Sequence, residues 1–137
     1  MGVRQASLED CEAVVALWES CALTRPWNDA ESDFKQAVVG KTSDVLILEG
    51  NEQMVASAMV GFDGHRGWVY YLAVEPSRQK GGLGRQIMSA AEEYLREQGA
   101  AKIQLMVRSE NSSACAFYKS LGYEQQPVLT FGRRLEP

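Results

Sequence analysis

Residues 75–86 read EPSRQKGGLGRQ. The stretch joins an apolar run, WVYYLAV (68–74), to a segment that places Leu83, Ile87, Met88, Ala91, Tyr94 and Leu95 on one face at helical spacing. The order is therefore strand, glycine-rich basic turn, helix. At the start of such a helix the main-chain N–H groups lack partners and the helix dipole is positive. Glycines there let a ligand reach the main chain with no Cβ in the way. Arg78, Lys80 and Arg85 add positive charge, and no carboxylate lies between Glu75 and Glu92. Two readings follow: a cradle for a diphosphate, or glycines that only turn the strand sharply into the helix. A P-loop is excluded, because Gly84 is followed by Arg85 and Gln86 rather than Lys and Ser or Thr. A dinucleotide fingerprint is excluded too, since the small residue it needs three positions after Gly84 is Ile87.

Outward from this loop, Arg85, Glu92, Glu93, Arg96 and Glu97 form the polar face of the helix, and Gly99 is placed to end it. KIQLMVR (102–108) alternates as a strand, and NSSACAFYKSLG (111–122) repeats apolar residues at helical spacing behind Asn111, a natural cap. The tail YEQQPVLTFGRRL (123–135) predicts two short strands interrupted by Pro127. Toward the N-terminus, WVYYLAV lacks polar alternation, as a central strand covered on both faces would. DVLILEG and MVASAMVGF, separated by a turn, read as a hairpin. GVRQA predicts a first strand. Ser7 and Asp10 then open an amphipathic helix carrying Leu8, Cys11, Val14, Val15, Trp18 and Cys21, which ends near Ala22. After Pro26, Asn28 or Asp29 caps a second, more polar helix running to about Val39. The predicted order is β-α-α-β-β-β-α-β-α-β-β in an α/β chain with a mixed sheet. No linker or repeat divides it, so residues 1–137 are expected to form one domain.

Composition narrows the function classes. A net charge of −4 and a pI near 5.0 argue against nucleic acid as a partner, which would demand clustered Lys and Arg. No apolar segment is long enough to span a bilayer. Cys11, Cys21 and Cys115 are odd in number and lack metal-ligand spacing, which predicts reduced thiols and a cytoplasmic protein. Cys115 reads as small buried filler, with no base near it in sequence.

The segment YLAVEPSRQKGGLG is similar to the signature of the GNAT-type N-acetyltransferases, with Gln79, Gly82 and Gly84 in register. NSSACAFYKSLGY resembles that family's second signature through Asn111, Ala114, Phe117, Tyr118, Gly122 and Tyr123. The strong similarity runs from residue 68 to 123. Weaker similarity in TRPWND and GFDGHRG points to the small bacterial acetyltransferases of the YpeA type.

The resemblance implies a GNAT-like, three-layer α/β/α fold and direct acetyl transfer from acetyl-coenzyme A, without metal, to a small-molecule amine or a peptide. The protein would be a monomer or a homodimer. The diphosphate would rest on the N–H groups of Gln79, Lys80, Gly81, Gly82, Leu83, Gly84 and Arg85. The pantetheine arm would lie along Leu72, Ala73 and Val74 like an added strand, with the N–H of Leu72 or Ala73 facing the thioester oxygen. Tyr118 would protonate the departing thiolate and Asn111 would bond the pantetheine. Taken without the motif, Asn111 is a helix cap and Tyr118 a core aromatic. The ribosomal-protein N-terminal acetyltransferases carry a glutamate base where this chain has Met106, which takes no proton. The base therefore stays open among Asp63, Glu110, His65 and a water relay beside Tyr70. Arg25, Trp27, Asn28, Asp63, His65 and Tyr70 are the candidates for the acceptor pocket. Competing readings are a protein N-terminal or lysine acetyltransferase, a non-catalytic acyl-coenzyme A sensor, and a nucleotide-binding module.

Overall fold

The computed structural model describes residues 2–136, in two compact units, Met1–Met106 and Val107–Pro137. The first unit contains β1 (Gly2–Gln5), α1 (Cys11–Ser20), α2 (Ala30–Val39), β2 (Ser43–Gly50), β3 (Gln53–Phe62), β4 (Gly67–Val74), α3 (Leu83–Gln98) and β5 (Ile103–Leu105). Short 3-10 turns at Leu8–Asp10 and Pro76–Arg78 precede α1 and the glycine loop. The sheet order is β1-β2-β3-β4-β5. The first four strands pair antiparallel, whereas β5 runs parallel to β4, as a crossover through α3 requires. No helix among the described residues is long and apolar enough to cross a membrane.

Local chemistry explains the boundaries. Asp10 Oδ2 accepts from Ser7 N at 2.8 Å, and Arg4 holds the same carboxylate at 2.9 Å. The capping box thus closes a 3-10 turn, and α1 begins at Cys11 rather than Leu8. Of the two candidate caps for α2, Asp29 serves, accepting from Ser32 N at 3.0 Å. The β2–β3 hairpin turns through Asn51 and Glu52, both at positive φ (55° and 62°), the pattern of a type I′ turn. Gly99 ends α3 at φ 98°, with Ala100 N donating to Leu95 O at 3.0 Å.

The sheet is covered on both faces, which makes this unit three-layered. Val45 and Ile47 face α1 and α2, where Val14, Leu17, Trp18, Phe34 and Ala37 pack. The alternate residues Leu46 and Leu48, with their β3 partners Ala58 and Ala56, face the other way. Helix α3 contacts β2, β3 and β4 and buries Leu83, Ile87, Met88, Ala91 and Leu95. Each fully buried aliphatic side chain contributes roughly 1.5–3 kcal/mol. The amphipathic pattern of α3 thus anchors the helix whose first turn follows the glycine loop.

Two expectations need correction. Strand β4 is not buried along its whole length: Gly67, Val69 and Ala73 are buried, but Tyr70 is 43% exposed. The tail, expected to form two strands, has neither strand nor helix over residues 124–136, and Val128, Leu129, Phe131 and Leu135 are exposed. Pro127 supplies no ladder donor, and Val128 N bonds locally to Gln126 O at 2.9 Å.

The second unit is built around α4 (Ser112–Ser120), capped by Asn111, whose side chain accepts from Ala114 N at 3.1 Å. Gly122, at φ 92°, closes it, with Tyr123 N reaching Tyr118 O at 3.0 Å.

Candidate active site

Strand β4 changes character halfway along. Against β3 its partners run Val60↔Val69 and Met59↔Tyr70, then resume at Ser57↔Ala73. Ala58 therefore opposes two residues, Tyr71 and Leu72, in a β-bulge. Tyr71 lies at φ 54°, a left-handed conformation uncommon for a bulky residue. On the opposite edge, pairing with β5 stops at Val69↔Leu105. Residues 70–74 therefore present a main-chain edge that β5 does not occupy, and these include Leu72, Ala73 and Val74.

The glycine loop continues from this edge. Val74 O accepts from Gln79 Nε2 at 3.1 Å and from the Cys21 thiol at 3.2 Å. The Glu75 carboxylate accepts from Ser77 N at 3.0 Å and from the Ser77 hydroxyl. Lys80 and Gly82 take positive φ (69° and 84°), and Gly82 caps α3 with no side-chain hydrogen bond. A Cβ at Gly82 would meet nothing within 4 Å, and one at Gly81 would sit 3.5 Å from Arg78 O. Gly82 thus faces open space, as a main-chain ligand site requires, while Gly81 has room for no more than ordinary contact beside Arg78 O. A shallow groove of about 580 Å³ starts at Gly82 and follows α3 past Arg85, Gln86 and Ser89 toward Arg96.

The acceptor candidates fall on two separate turns and, for Tyr70, on β4. Arg25 Nη1 donates to Ala22 O at 2.7 Å and Thr24 O at 2.9 Å, closing the chain after α1. Asn28 N bonds Arg25 O at 3.1 Å, and Trp27 is 50% exposed. On the β3–β4 turn, Asp63 accepts from Arg66 N (2.7 Å), His65 N (2.8 Å) and Trp68 Nε1 (3.1 Å). These donors, Arg66 N–H first and His65 N–H second, hold the Asp63 carboxyl below its ordinary range, which makes it a turn cap and a poor base. Trp68 stacks beside Tyr70 with ring centroids 6.3 Å apart. Burial raises the Tyr70 hydroxyl pKa, so it stays protonated at neutral pH.

In the second unit, Asn111 Oδ1 serves as the helix cap and also accepts from Ser113 Oγ at 3.1 Å. Tyr118 packs edge-on against Phe117 (5.0 Å) and Tyr123 (5.9 Å). Loss of solvation pushes its hydroxyl up to about 12. A phenol so placed holds its proton and can donate it. Among the described residues no group of three or more His, Cys, Asp or Glu is placed to hold a metal ion.

Sequence reasoning missed the residues that hold the bulge. Tyr71 stacks on Trp18 with centroids 4.0 Å apart and planes 7° from parallel. Its hydroxyl donates to Asp33 Oδ2 at 2.8 Å, and Trp18 Nε1 donates to the buried Ser57 Oγ at 3.0 Å. The helical periodicity identified Trp18 as core, but nothing local marked its partners.

Comparison with known proteins adds four findings. The model of the acetyltransferase (GNAT) family matches residues 11–123. Acetyltransferase ECA0875 of Pectobacterium atrosepticum is 41% identical over 135 residues, covering 98% of this chain and 96% of that protein. Among solved structures, the ribosomal-protein-S18-alanine N-acetyltransferase of Escherichia coli superposes with a TM-score of 0.77 at 25% identity, over 91% of this chain and 78% of its own. AAC(6')-Iy, solved in complex with the bisubstrate analogue CoA-S-monomethyl-acetylneamine, gives a TM-score of 0.82 at 16% identity, over 97% of both chains.

Proposed function

The chain belongs to the acetyltransferase (GNAT) family, and from that premise we propose that it moves an acetyl group from acetyl-coenzyme A directly to the primary amine of a small molecule. The observation that carries this reading is the continuity of two features. The main-chain edge at residues 70–74 leads into the glycine loop, where Gly82 faces open space at the start of α3. One extended thioester with a diphosphate at its far end fits both. In this reading the catalytic domain spans residues 1–137, since the family match crosses both units, and the protein works in the cytoplasm.

Each residue then has a task. The N–H groups from Gln79 to Arg85 take the diphosphate, with Lys80 and Arg85 adding charge. Leu72, Ala73 and Val74 bind the pantetheine arm along the main chain, and the Leu72 or Ala73 N–H steadies negative charge on the thioester oxygen. As the amine nitrogen bonds to the acetyl carbon, the C–S bond breaks, Tyr118 gives its proton to the sulfur, and the proton lost by the nitrogen passes through water to restore the Tyr118 hydroxyl. Holding both reactants together removes much of the entropic barrier to their meeting. Asn111 contacts the pantetheine, and Arg25, Trp27, Asn28, His65 and Tyr70 surround the acceptor.

Met106, where ribosomal-protein N-terminal acetyltransferases carry a glutamate base, leaves the chain without that base and so favours an acceptor amine of low pKa over lysine. An α-amine with a pKa near 8 needs little help to lose its proton, whereas a lysine near 10.4 needs more. The likeness to the E. coli ribosomal-protein enzyme favours the second reading, acetylation of a protein N-terminus. Calorimetric titration tests the ligand class. Coenzyme A should bind and resist competition by ATP and NAD; displacement by either nucleotide would contradict the proposal.

A further inference from the structure

Tyr71 is the one residue of β4 at positive φ, and it occupies the bulge itself. A left-handed tyrosine inside a strand persists only where its surroundings hold it. Here three groups do so. Trp18 of α1 covers the ring face to face, and the same indole donates to Ser57, whose strand partner is Ala73 just past the bulge. Trp18 thus grips the bulge on both strands. Asp33, in the first turn of α2, accepts the tyrosine hydroxyl. Loss of solvation, followed by the Asp33 hydrogen bond, raises the Tyr71 hydroxyl well above its ordinary pKa, so it stays a donor.

The consequence reaches the main chain. A bulge re-aims the peptide groups that follow it, and the peptide after Tyr71 carries the Leu72 N–H. We propose that Tyr71, clamped by Trp18 and Asp33, is a positioning residue that fixes the direction of the Leu72 N–H toward the thioester oxygen, and so ties α2 to the polarising edge. This rests on the acetyltransferase reading of the β4 edge. The clamp touches no reacting atom. Its hydroxyl arm is separable from its packing arm, because Tyr71→Phe keeps the stack on Trp18 and removes only the bond to Asp33.

The test is infrared difference spectroscopy of acetyl-coenzyme A labelled with ¹³C at the acetyl carbonyl, bound to the full chain, with affinity followed by calorimetry and folding by thermal melts. Wild type should lower the carbonyl stretch relative to free ligand. Tyr71→Phe and Asp33→Ala should each lose most of that shift while still binding, Asp33→Asn should restore it by keeping an acceptor oxygen, and the double variant should lose no more than either single one. Should Tyr71→Phe fail to fold, Asp33→Ala carries the same test from the helix side. Equal shifts in wild type and folded variants would overturn the clamp while leaving the acetyltransferase reading intact. Wild type that binds the thioester without any shift would also overturn it. If wild type bound no acetyl-coenzyme A, both readings would fall together.

Discussion

Exchanging the two adjacent glycines of the loop separates its structural role from its binding role. Gly82 sits at φ 84° with no atom within 4 Å of a built Cβ, so Gly82→Ala meets no clash and suffers only from its backbone conformation. That penalty is about 1–2 kcal/mol, which for a chain of this size lowers the melting temperature by roughly 3–10 °C. Gly81 has no such conformational demand, and its Cβ would make an ordinary 3.5 Å contact with Arg78 O. Gly81→Ala should therefore melt within about 0.5 kcal/mol of wild type. If the diphosphate lies against this main chain, the same methyl displaces it and weakens a charge-assisted hydrogen bond of about 1.5–3 kcal/mol. Coenzyme A affinity should then fall roughly 10- to 150-fold. Pantetheine, which lacks the diphosphate, serves as the control and should bind Gly81→Ala as it binds wild type. Calorimetric titration of both ligands, beside thermal melts, reads all of this. Undiminished coenzyme A affinity in Gly81→Ala would refute the cradle and leave the glycines as a turn.

The other predictions concern the acid, the N-terminal ion pair and the core. Tyr118→Phe should lower turnover with little change in KM, and unchanged turnover would remove the acid role. Because burial raises the Tyr118 hydroxyl from 10.0 to about 12, its contribution to stability is fully present below pH 10 and lost as pH rises through 12; pH-dependent melts should show a smaller alkaline loss in Tyr118→Phe than in wild type, the remainder belonging to the other raised tyrosines. Asp10, lowered from 3.8 to about 2 chiefly by its bond to Arg4, contributes stability present above pH 3.8 and lost as pH falls through 2. Since the Arg4 guanidinium is exposed although Asp10 is partly buried, Asp10→Asn should cost about 1 kcal/mol and flatten the acid side of the stability curve. Ser57→Ala leaves the buried Trp18 Nε1–H without its acceptor and should cost about 1–3 kcal/mol in denaturant titration.

Much of the fold was legible because its pattern is local. The α3 face, the Gly99 stop, the β2–β3 hairpin and the Asn111 cap each follow from a few neighbouring residues, and the structure places them as the pattern directs. What depended on distant partners was not legible. KIQLMVR alternates over seven residues, but β5 keeps only Ile103–Leu105, because β4 turns away at the bulge beyond Val69. The tail carries Val128, Leu129 and Phe131 around Pro127, yet a strand forms only where a neighbour completes its ladder, and local sequence does not report a neighbour. The glycine loop and the Tyr118 helix stood out through their motifs. Tyr71 did not, since nothing distinguishes it locally from Tyr70, and only the meeting of α1, α2 and β3 at its ring sets it apart.

The central claim, that this chain acetylates a small amine, is tested most directly by incubating the protein with acetyl-coenzyme A radiolabelled in the acetyl group and a cell extract fractionated by size, beside Tyr118→Phe. The account predicts label in the small-molecule fraction, well above that produced by the variant. Label confined to polypeptide would contradict the small-molecule acceptor, and label in neither fraction, with coenzyme A still bound, would contradict catalysis itself.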